Sequence, residues 1–393
     1  MSDPWLSIIG LGEDGLSGLS PASRAALDAA EIVFGGPRHL RLAQAGRRGR
    51  AWPVPFDIAP VLACRGQRVA VLASGDPFWH GAGGSLAAQL APGEWRAFPA
   101  PSSFSLAAAR LGWRIEDTTC LGLHAAPYER LLPVLRPGGR AILLLRDGAA
   151  PAALAAWLAA RGWGASTLWV LEALGGPRER IRQATAAGFD LHLTRPPVAV
   201  ALQVAGGVAR RAGPGLPDDA FQHDGQITRA PVRALTLAAL APRAGALLWD
   251  LGAGSGSVAV EWALAGGRAV AVERRADRIG NILANIKGFG LSETVSARHS
   301  DSISALPGLP DPDAVFVGGG LTETLAAALW ARLPPGTRLV ANAVTLETEA
   351  LLAQLHAGHG GTMLRIELAE AAPLGGFRGW LPARPVVQWA VTR

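Results

Sequence analysis

The sequence predicts an α/β protein made of two separate α/β domains, and three observations carry that expectation. Short apolar segments of strand length alternate with Ala- and Leu-rich segments of helical period along the 393 residues. The rhythm breaks at VARRAGPGLPDDAFQHDGQ (208–226), which is rich in Gly, Pro and Asp and has no periodicity. Each half also holds a glycine-rich turn directly after an apolar strand, SGDP at 74–77 and DLGAGSG at 250–256, where the absence of a side chain lets a ligand touch the backbone. Domains are expected over 1–208 and 224–393, joined by a linker at 209–223.

In chain order, WLSIIGLG (5–12) reads as a buried strand ending in glycines. SPASRAALDAA (20–30) reads as a helix with Ser20 at the N-cap and Pro21 at its first position. RVAVLASGDP (68–77) is a second strand, followed by a Gly-rich turn and a helix from about Gly84. AILLLRDG (141–148), the helix APAALAAWLAARG (150–162) and TLWVLEALGG (167–176) continue the alternation. Beyond the break, strands are expected near Ala246–Leu251, Ala269–Glu273, Val295–His299, Ala314–Val317 and Arg338–Asn342, with helices between them. TMLRIELAEA (362–371) and RPVVQWAVTR (384–393) read as a closing pair of strands, forming a hairpin.

Composition narrows the function. Hydrophobic residues make up 49% of the chain and charged residues 17%, which implies packed cores and excludes a disordered chain. The 37 basic residues exceed the 31 acidic ones by only six. The densest basic cluster, Arg47–Arg50, reads as a surface turn. Nucleic-acid binders show a stronger, clustered excess, so no nucleic-acid partner is expected. Arginines spread through loops suit a small substrate bearing many carboxylates. The two cysteines lack metal-type spacing and the eight histidines are scattered, so no metal site is expected. No basic N-terminal leader precedes an apolar core, and no apolar run is of bilayer length, so a soluble cytoplasmic protein without membrane association is expected.

The loop after the first strand of the C-terminal half bears on the ligand. It reads Asp250-Leu251-Gly252-Ala253-Gly254-Ser255-Gly256, and the third glycine of a dinucleotide fingerprint is replaced by Ser257. A Walker loop is excluded by the missing Gly-Lys-Ser/Thr. Glu273 ends the next strand, where a carboxylate can accept hydrogen bonds from both hydroxyls of a ribose. Two acids beside the loop would repel a pyrophosphate but suit an ammonium and a sulfonium, and S-adenosyl-L-methionine carries both without a phosphate.

With those residues in place, the C-terminal half resembles the class I, Rossmann-like methyltransferases. DGQITRAPVRALTLAAL (224–240), HSDS (299–302) and DAVFVGGG (313–320) narrow the resemblance to the decarboxylating precorrin methyltransferases. The resemblance implies that Thr228, Gly252, Ala253, Gly254, Ser255 and Gly256 contact the cofactor and that Glu273 holds the ribose. Asp301 and Ser302 would lie against the adenine, and Gly318, Gly319 and Gly320 would line the substrate side.

The N-terminal half is similar to the tetrapyrrole methylases, a different fold of two α/β lobes. The motifs are, in order, IIGLGEDGLSGLSPASRAALDAAEIVFG (8–35), SGDPFWHGAG (74–83), PAPSSFSLAAARLGW (99–113), LGLHAAP (121–127), LLLRDGAAPAALA (143–155) and VLEALGGPRERI (170–181). The resemblance implies a second S-adenosyl-L-methionine between the lobes, near Gly75, Asp76, Ser102 and Ser103, with backbone contacts from Leu123 and His124. Ser102 and Ser103 equally suit capping of the helix after Phe104, and Asp76 before Pro77 equally suits a turn. The first loop, Gly12-Glu13-Asp14-Gly15, departs from the Pro-Gly-Asp of many relatives.

Together the two resemblances imply a homo-oligomeric enzyme of cobalamin biosynthesis with a precorrin as its small-molecule substrate. It would methylate carbons 5 and 15 of the macrocycle and decarboxylate the ring C acetate, with two cofactor sites per chain and no metal. A nucleic-acid methyltransferase is the alternative.

Overall fold

The computed structural model describes residues 4–209 and 213–393, and the chain divides into two compact units, 1–210 and 211–393. Within the expected linker, Arg210, Arg211 and Ala212 lie outside the described residues.

The N-terminal unit contains two five-stranded sheets. The first is formed by β1 (Leu6–Leu11), β2 (Ile32–Gly35), β3 (Gly49–Ala51), β4 (Val69–Ser74) and β5 (Trp95–Phe98), in the order β3-β2-β4-β1-β5 and parallel throughout. Both faces are covered: Ile9, Leu27, Val33 and Leu72 pack on one side, and Ile8, Phe34, Val61 and Val71 on the other. This is why β1 and β4 read as continuous apolar runs. The helix Pro21–Ala29 begins as expected, with Ser20 Oγ accepting from Ser23 N at 3.1 Å. Arg48, from the basic cluster, donates to the Leu27 and Ala30 carbonyls at the end of that helix, which is a capping role.

The second sheet is mixed. It comprises β6 (Thr119–Gly122), β7 (Arg140–Leu144), β8 (Thr167–Glu172), β9 (Arg180–Thr185) and β10 (Val198–Gln203), in the order β6-β7-β10-β8-β9. Only β6 and β7 pair in parallel; the other pairs are antiparallel.

The C-terminal unit is built on a seven-stranded sheet of β11 (Leu247–Leu251), β12 (Arg268–Glu273), β13 (Val295–His299), β14 (Ala314–Val317), β15 (Arg338–Ala343), β16 (Thr362–Ile366) and, after an inserted hairpin of β17 (Ala369–Leu374) and β18 (Phe377–Pro382), β19 (Val386–Thr392). The order is β13-β12-β11-β14-β15-β19-β16. The first five are parallel, and β19 is antiparallel to both of its neighbours. Here the structure corrects the expected closing hairpin: β16 and β19 do pair, but β17 and β18 form a separate hairpin between them. That hairpin escaped the sequence pattern because both of its faces are largely open, so no alternation marks it. Leu374, Phe377, Trp380 and Leu381 are all exposed.

The described part of the expected linker is not a free tether. The Gly215 and Leu216 amides donate to the Glu261 carboxylate at 2.6 and 3.0 Å, and Phe221 stacks on Phe289. Arg233, fully buried, ties the segment down through Glu261, Asp218 and the Leu216 and Thr228 carbonyls. A buried guanidinium is tolerated because every direction it points in meets an acceptor.

Candidate cofactor sites

In the C-terminal unit the parallel strands end together, and the strand order reverses beside β11, with β12 leading one way and β14 the other. Ligands of open α/β sheets bind at such a switch point. The glycine loop leaves β11 there. Gly252 has φ +69°, and a Cβ on it would stand 3.0 Å from the Gly319 carbonyl, so loop and Gly318–Gly320 strip are held at backbone distance. Gly256 (φ +71°) is the N-cap of the helix Ser257–Leu264 and has no side chain to cap with. Asp250 does it instead from inside the strand, its Oδ2 accepting from Ala259 N at 3.1 Å.

Glu273, buried at the end of β12, holds the loop: its Oε2 accepts from Gly254 N and its Oε1 from Arg275 N, both at 2.9 Å. A carboxylate has about four acceptor positions, so capacity remains for further donors. Asp301 and Ser302 follow β13. Ser300 N donates to the Glu273 carbonyl at 3.0 Å, which fixes this turn beside the end of β12. Asp301 caps its short helix through Ser304 N, and hydrogen bonds from Ser304 hold its carboxyl below the usual range. Thr228 is half-buried in the segment whose Gln226 carbonyl lies 3.5 Å from the place of a Gly254 Cβ. The structure thus brings Thr228, the loop 252–256, Glu273, Asp301, Ser302 and Gly318–Gly320 to one edge of the sheet.

Two buried polar atoms at this edge, Asp250 Oδ1 and Ser255 Oγ, have no hydrogen-bond partner among the described residues. Burial pushes the Asp250 carboxyl up to about 7; the Ala259 amide opposes this and the Glu273 charge adds to it. A cradle of positive-φ glycines, orphaned acceptors and two buried carboxylates suits a cationic, phosphate-free ligand such as S-adenosyl-L-methionine.

The N-terminal unit offers a cavity of about 300 Å³, within the size range of small-molecule sites. Of the expected residues, Ser102, Ser103 and His124 line it. Gly75 (φ +54°) lies against it: a Cβ there would meet the Pro101 carbonyl and Ser102 Cα at 2.7 Å, so the Gly-Asp-Pro and Pro-x-x-Ser-Ser segments touch backbone to backbone. The local roles are those of turn and cap. Asp76 Oδ1 accepts from Phe78 N at 2.8 Å, and Ser102 Oγ from Ser105 N at 3.1 Å. The Leu123 amide donates to the Leu144 carbonyl at 2.8 Å, so the contact this residue can offer a ligand is its carbonyl.

Sequence reasoning missed most of the cavity wall: His39, Trp52, Ser74, Trp79, His80 and Phe104. Trp79 and His80 stand inside the quoted Gly-Asp-Pro motif, and their aromatic character was the available signal. His39 Nε2 meets Arg38 Nη2 and Ser74 Oγ, each at 2.9 Å. Burial, then Arg38, lowers the His39 imidazole to about 4. Arg38 and Arg178 both pair with Glu13, the buried residue at the departure from Pro-Gly-Asp.

Comparison with known proteins agrees with this division. The family model of tetrapyrrole (corrin/porphyrin) methylases matches residues 6–190, and that of the precorrin methyltransferase domain matches 219–393. The chain therefore joins two methyltransferase folds of corrin chemistry, one per unit. A precorrin-6Y C(5,15)-methyltransferase (decarboxylating) from Sinorhizobium sp is 47% identical over 99% of this chain and 97% of the relative. A probable cobalt-precorrin-6B C(15)-methyltransferase (decarboxylating) from Pyrobaculum aerophilum is 31% identical over 44% of this chain and 94% of its own length. The crystal structure of the C-terminal domain of precorrin-6Y C5,15-methyltransferase from Rhodobacter capsulatus is 60% identical over 47% of this chain and all of that one, with a TM-score of 0.46. The chain belongs to the precorrin-6Y C(5,15)-methyltransferase (decarboxylating) family.

Among the described residues no group of three or more His, Cys, Asp or Glu could hold a metal ion, and no helix is long and apolar enough to cross a membrane.

Proposed function

We propose that this chain methylates carbons 5 and 15 of a precorrin macrocycle from S-adenosyl-L-methionine and decarboxylates its ring C acetate, in cobalamin biosynthesis. The end-to-end 47% identity to a relative of that name carries the reading. We further assign one cofactor site to each unit, with carbon 15 and the decarboxylation in the C-terminal unit and carbon 5 in the N-terminal unit. Ring C is flanked by meso carbons 10 and 15, so a site that holds carbon 15 also surrounds that acetate.

S-adenosyl-L-methionine, when bound, supplies an electrophilic methyl group on a positively charged sulfur, which an enamine-like meso carbon can attack. The chain's own task is alignment, and near-attack positioning contributes ~7–11 kcal/mol in favourable cases. In the C-terminal unit, the Gly252–Gly256 backbone would seat the cofactor, Glu273 would accept from the ribose hydroxyls, and buried Asp250, its acidity weakened, would cap the helix behind the loop. Gly318–Gly320, exposed and without side chains, would leave room for a flat macrocycle.

Decarboxylation needs an electron sink. Lys287, the only lysine, is exposed on the helix Ala276–Phe289. The substrate's own imine-like ring is therefore assigned as the sink, with the protein desolvating the carboxylate and steadying the charge that moves into the ring. The exposed apolar tip of the β17–β18 hairpin supports a homo-oligomer, to be checked by light scattering. The deciding experiment incubates the full chain with the reduced precorrin and methyl-labelled cofactor. Two methyl groups gained and one carbon dioxide lost per macrocycle are expected; an unchanged macrocycle mass would overturn the reading.

A further inference from the structure

We propose that His80 is the proton acceptor for methylation in the N-terminal unit, working beside His124 over the gap that Gly122 leaves. The inference rests on the reading that this unit methylates a meso carbon. Once that carbon has formed its bond to the methyl group, and the C–S electron pair has left with sulfur, it still carries its hydrogen and the ring is an iminium cation. His80 removes that proton, the C–H pair restores the ring double bond, and the imidazolium later loses its proton to solvent. Electrons and atoms balance with no further reagent.

Three features single out His80. Both imidazoles line the cavity and converge: a Cβ on Gly122 would lie 3.2 Å from His80 Nδ1 and 3.2 Å from His124 Cε1. The ring centroids are 6.5 Å apart at 82°. His80 holds a left-handed backbone, φ +60°, which a non-glycine residue adopts at an energetic cost, a feature that concentrates at functional sites. The ring lies 6.0 Å from Phe104, and no described residue hydrogen-bonds it.

His39, the third imidazole of the cavity, faces Arg38 and Ser74 through Nε2, and Asp76, in the same loop as His80, holds the Phe78 amide; unlike His124, His80 has the left-handed backbone. Burial lowers the His80 imidazole from its ordinary value, and His124 and Arg130, both on the second lobe, lower it further. It is therefore neutral and able to accept a proton at neutral pH, and it does not repel a sulfonium.

The test uses the full chain. NMR titration of the histidine ring resonances, without ligand, should place His80 below the ordinary midpoint of ~6.5, and H124F should move it upward. With methyl-labelled cofactor, His80→Ala should slow labelling at carbon 5 by about 100-fold or more, while S-adenosylhomocysteine affinity stays within about threefold. His80→Gln, closer in shape, should show the same loss, and added imidazole should restore part of the rate to His80→Ala. Unchanged labelling at carbon 5 in His80→Ala, or a loss explained by weaker S-adenosylhomocysteine binding, would overturn the proposal. Wild-type chain that labels carbon 15 but never carbon 5 would instead overturn the underlying reading.

Discussion

The two glycine turns, one per unit, are assigned the same ligand and are built in opposite ways. Around Gly252–Gly256 the buried polar groups are carboxylates: Glu273 holds the loop amide of Gly254 and the amide of Arg275, and Asp250 holds the Ala259 amide with its Oδ1 left unpartnered among the described residues. Around Gly75 the wall is aromatic and imidazole-rich, while the serine and aspartate of the motifs serve as cap and turn. Under the assignment proposed above, one site would recognise a cation and a ribose through charge placed at the ends of parallel strands. The other would recognise shape, through a cavity between lobes whose backbones touch. On that assignment the same chemistry needs no shared motif, and each half is read by its own physics.

The largest expected effect that would break this comparison comes from Gly75→Val. A β-branched residue at φ +54°, with Pro101 O and Ser102 Cα at 2.7 Å from its Cβ, must move the loop, at a cost on the order of 3 kcal/mol or more. Labelling at carbon 5 should vanish while carbon 15 is still methylated, as read by NMR of the product. Loss at both carbons in a folded variant would mean the sites are not independent.

Glu273→Ala is the mirror experiment. It orphans the Gly254 and Arg275 amides and removes the ribose acceptor, about 1–3 kcal/mol for each buried group. Calorimetry should show S-adenosylhomocysteine binding to the C-terminal site weakened tenfold or more, with carbon 5 labelling retained.

The acidity of Asp250 sharpens the contrast. Its folded-state value, about 7, stands above the ordinary 3.8, so the folded chain holds that proton more tightly than the unfolded one. The resulting stability is complete below about pH 4 and is lost as pH rises toward about 7. Asp250→Asn, which cannot ionise, should gain on the wild type over that interval in urea unfolding. Parallel pH profiles for the two proteins would refute the raised acidity. The smallest effect belongs to Lys287→Met: carbon dioxide release should stay within about twofold, and a large loss would return a lysine to the chemistry.

Much of this was legible in the sequence, for physical reasons that also mark where legibility stopped. β13 and β14 fall at Val295–His299 and Ala314–Val317 as expected; for β14, fully buried, the reason is the sharp change of polarity that bounds a buried parallel strand. The Ser20 cap was visible because a Ser-Pro pair before a helical period has one stable geometry. The grouping of Asp250, Glu273 and the glycine loop was readable because both acids lie at fixed spacing along parallel strands, from which they hold the Ala259 and Gly254 amides. The N-terminal cavity was legible only in part: Ser102, Ser103 and His124 line it as expected, but Trp52 and His80 reach it only through tertiary packing of the segments after β3 and β4. The docking of Gly215 and Leu216 onto Glu261 was not legible, because a Gly- and Pro-rich composition conceals it. An excised C-terminal fragment should therefore begin before Gly215, so that the bonds from Gly215 and Leu216 to Glu261 are kept.

Independence of two cofactor sites is the central claim, and the stoichiometry of S-adenosylhomocysteine binding to the active full chain tests it most directly. Titration calorimetry should approach two equivalents per chain, falling to one in Gly75→Val and to one in Glu273→Ala. A single equivalent in the active wild type, unchanged by one of the two substitutions, would contradict it.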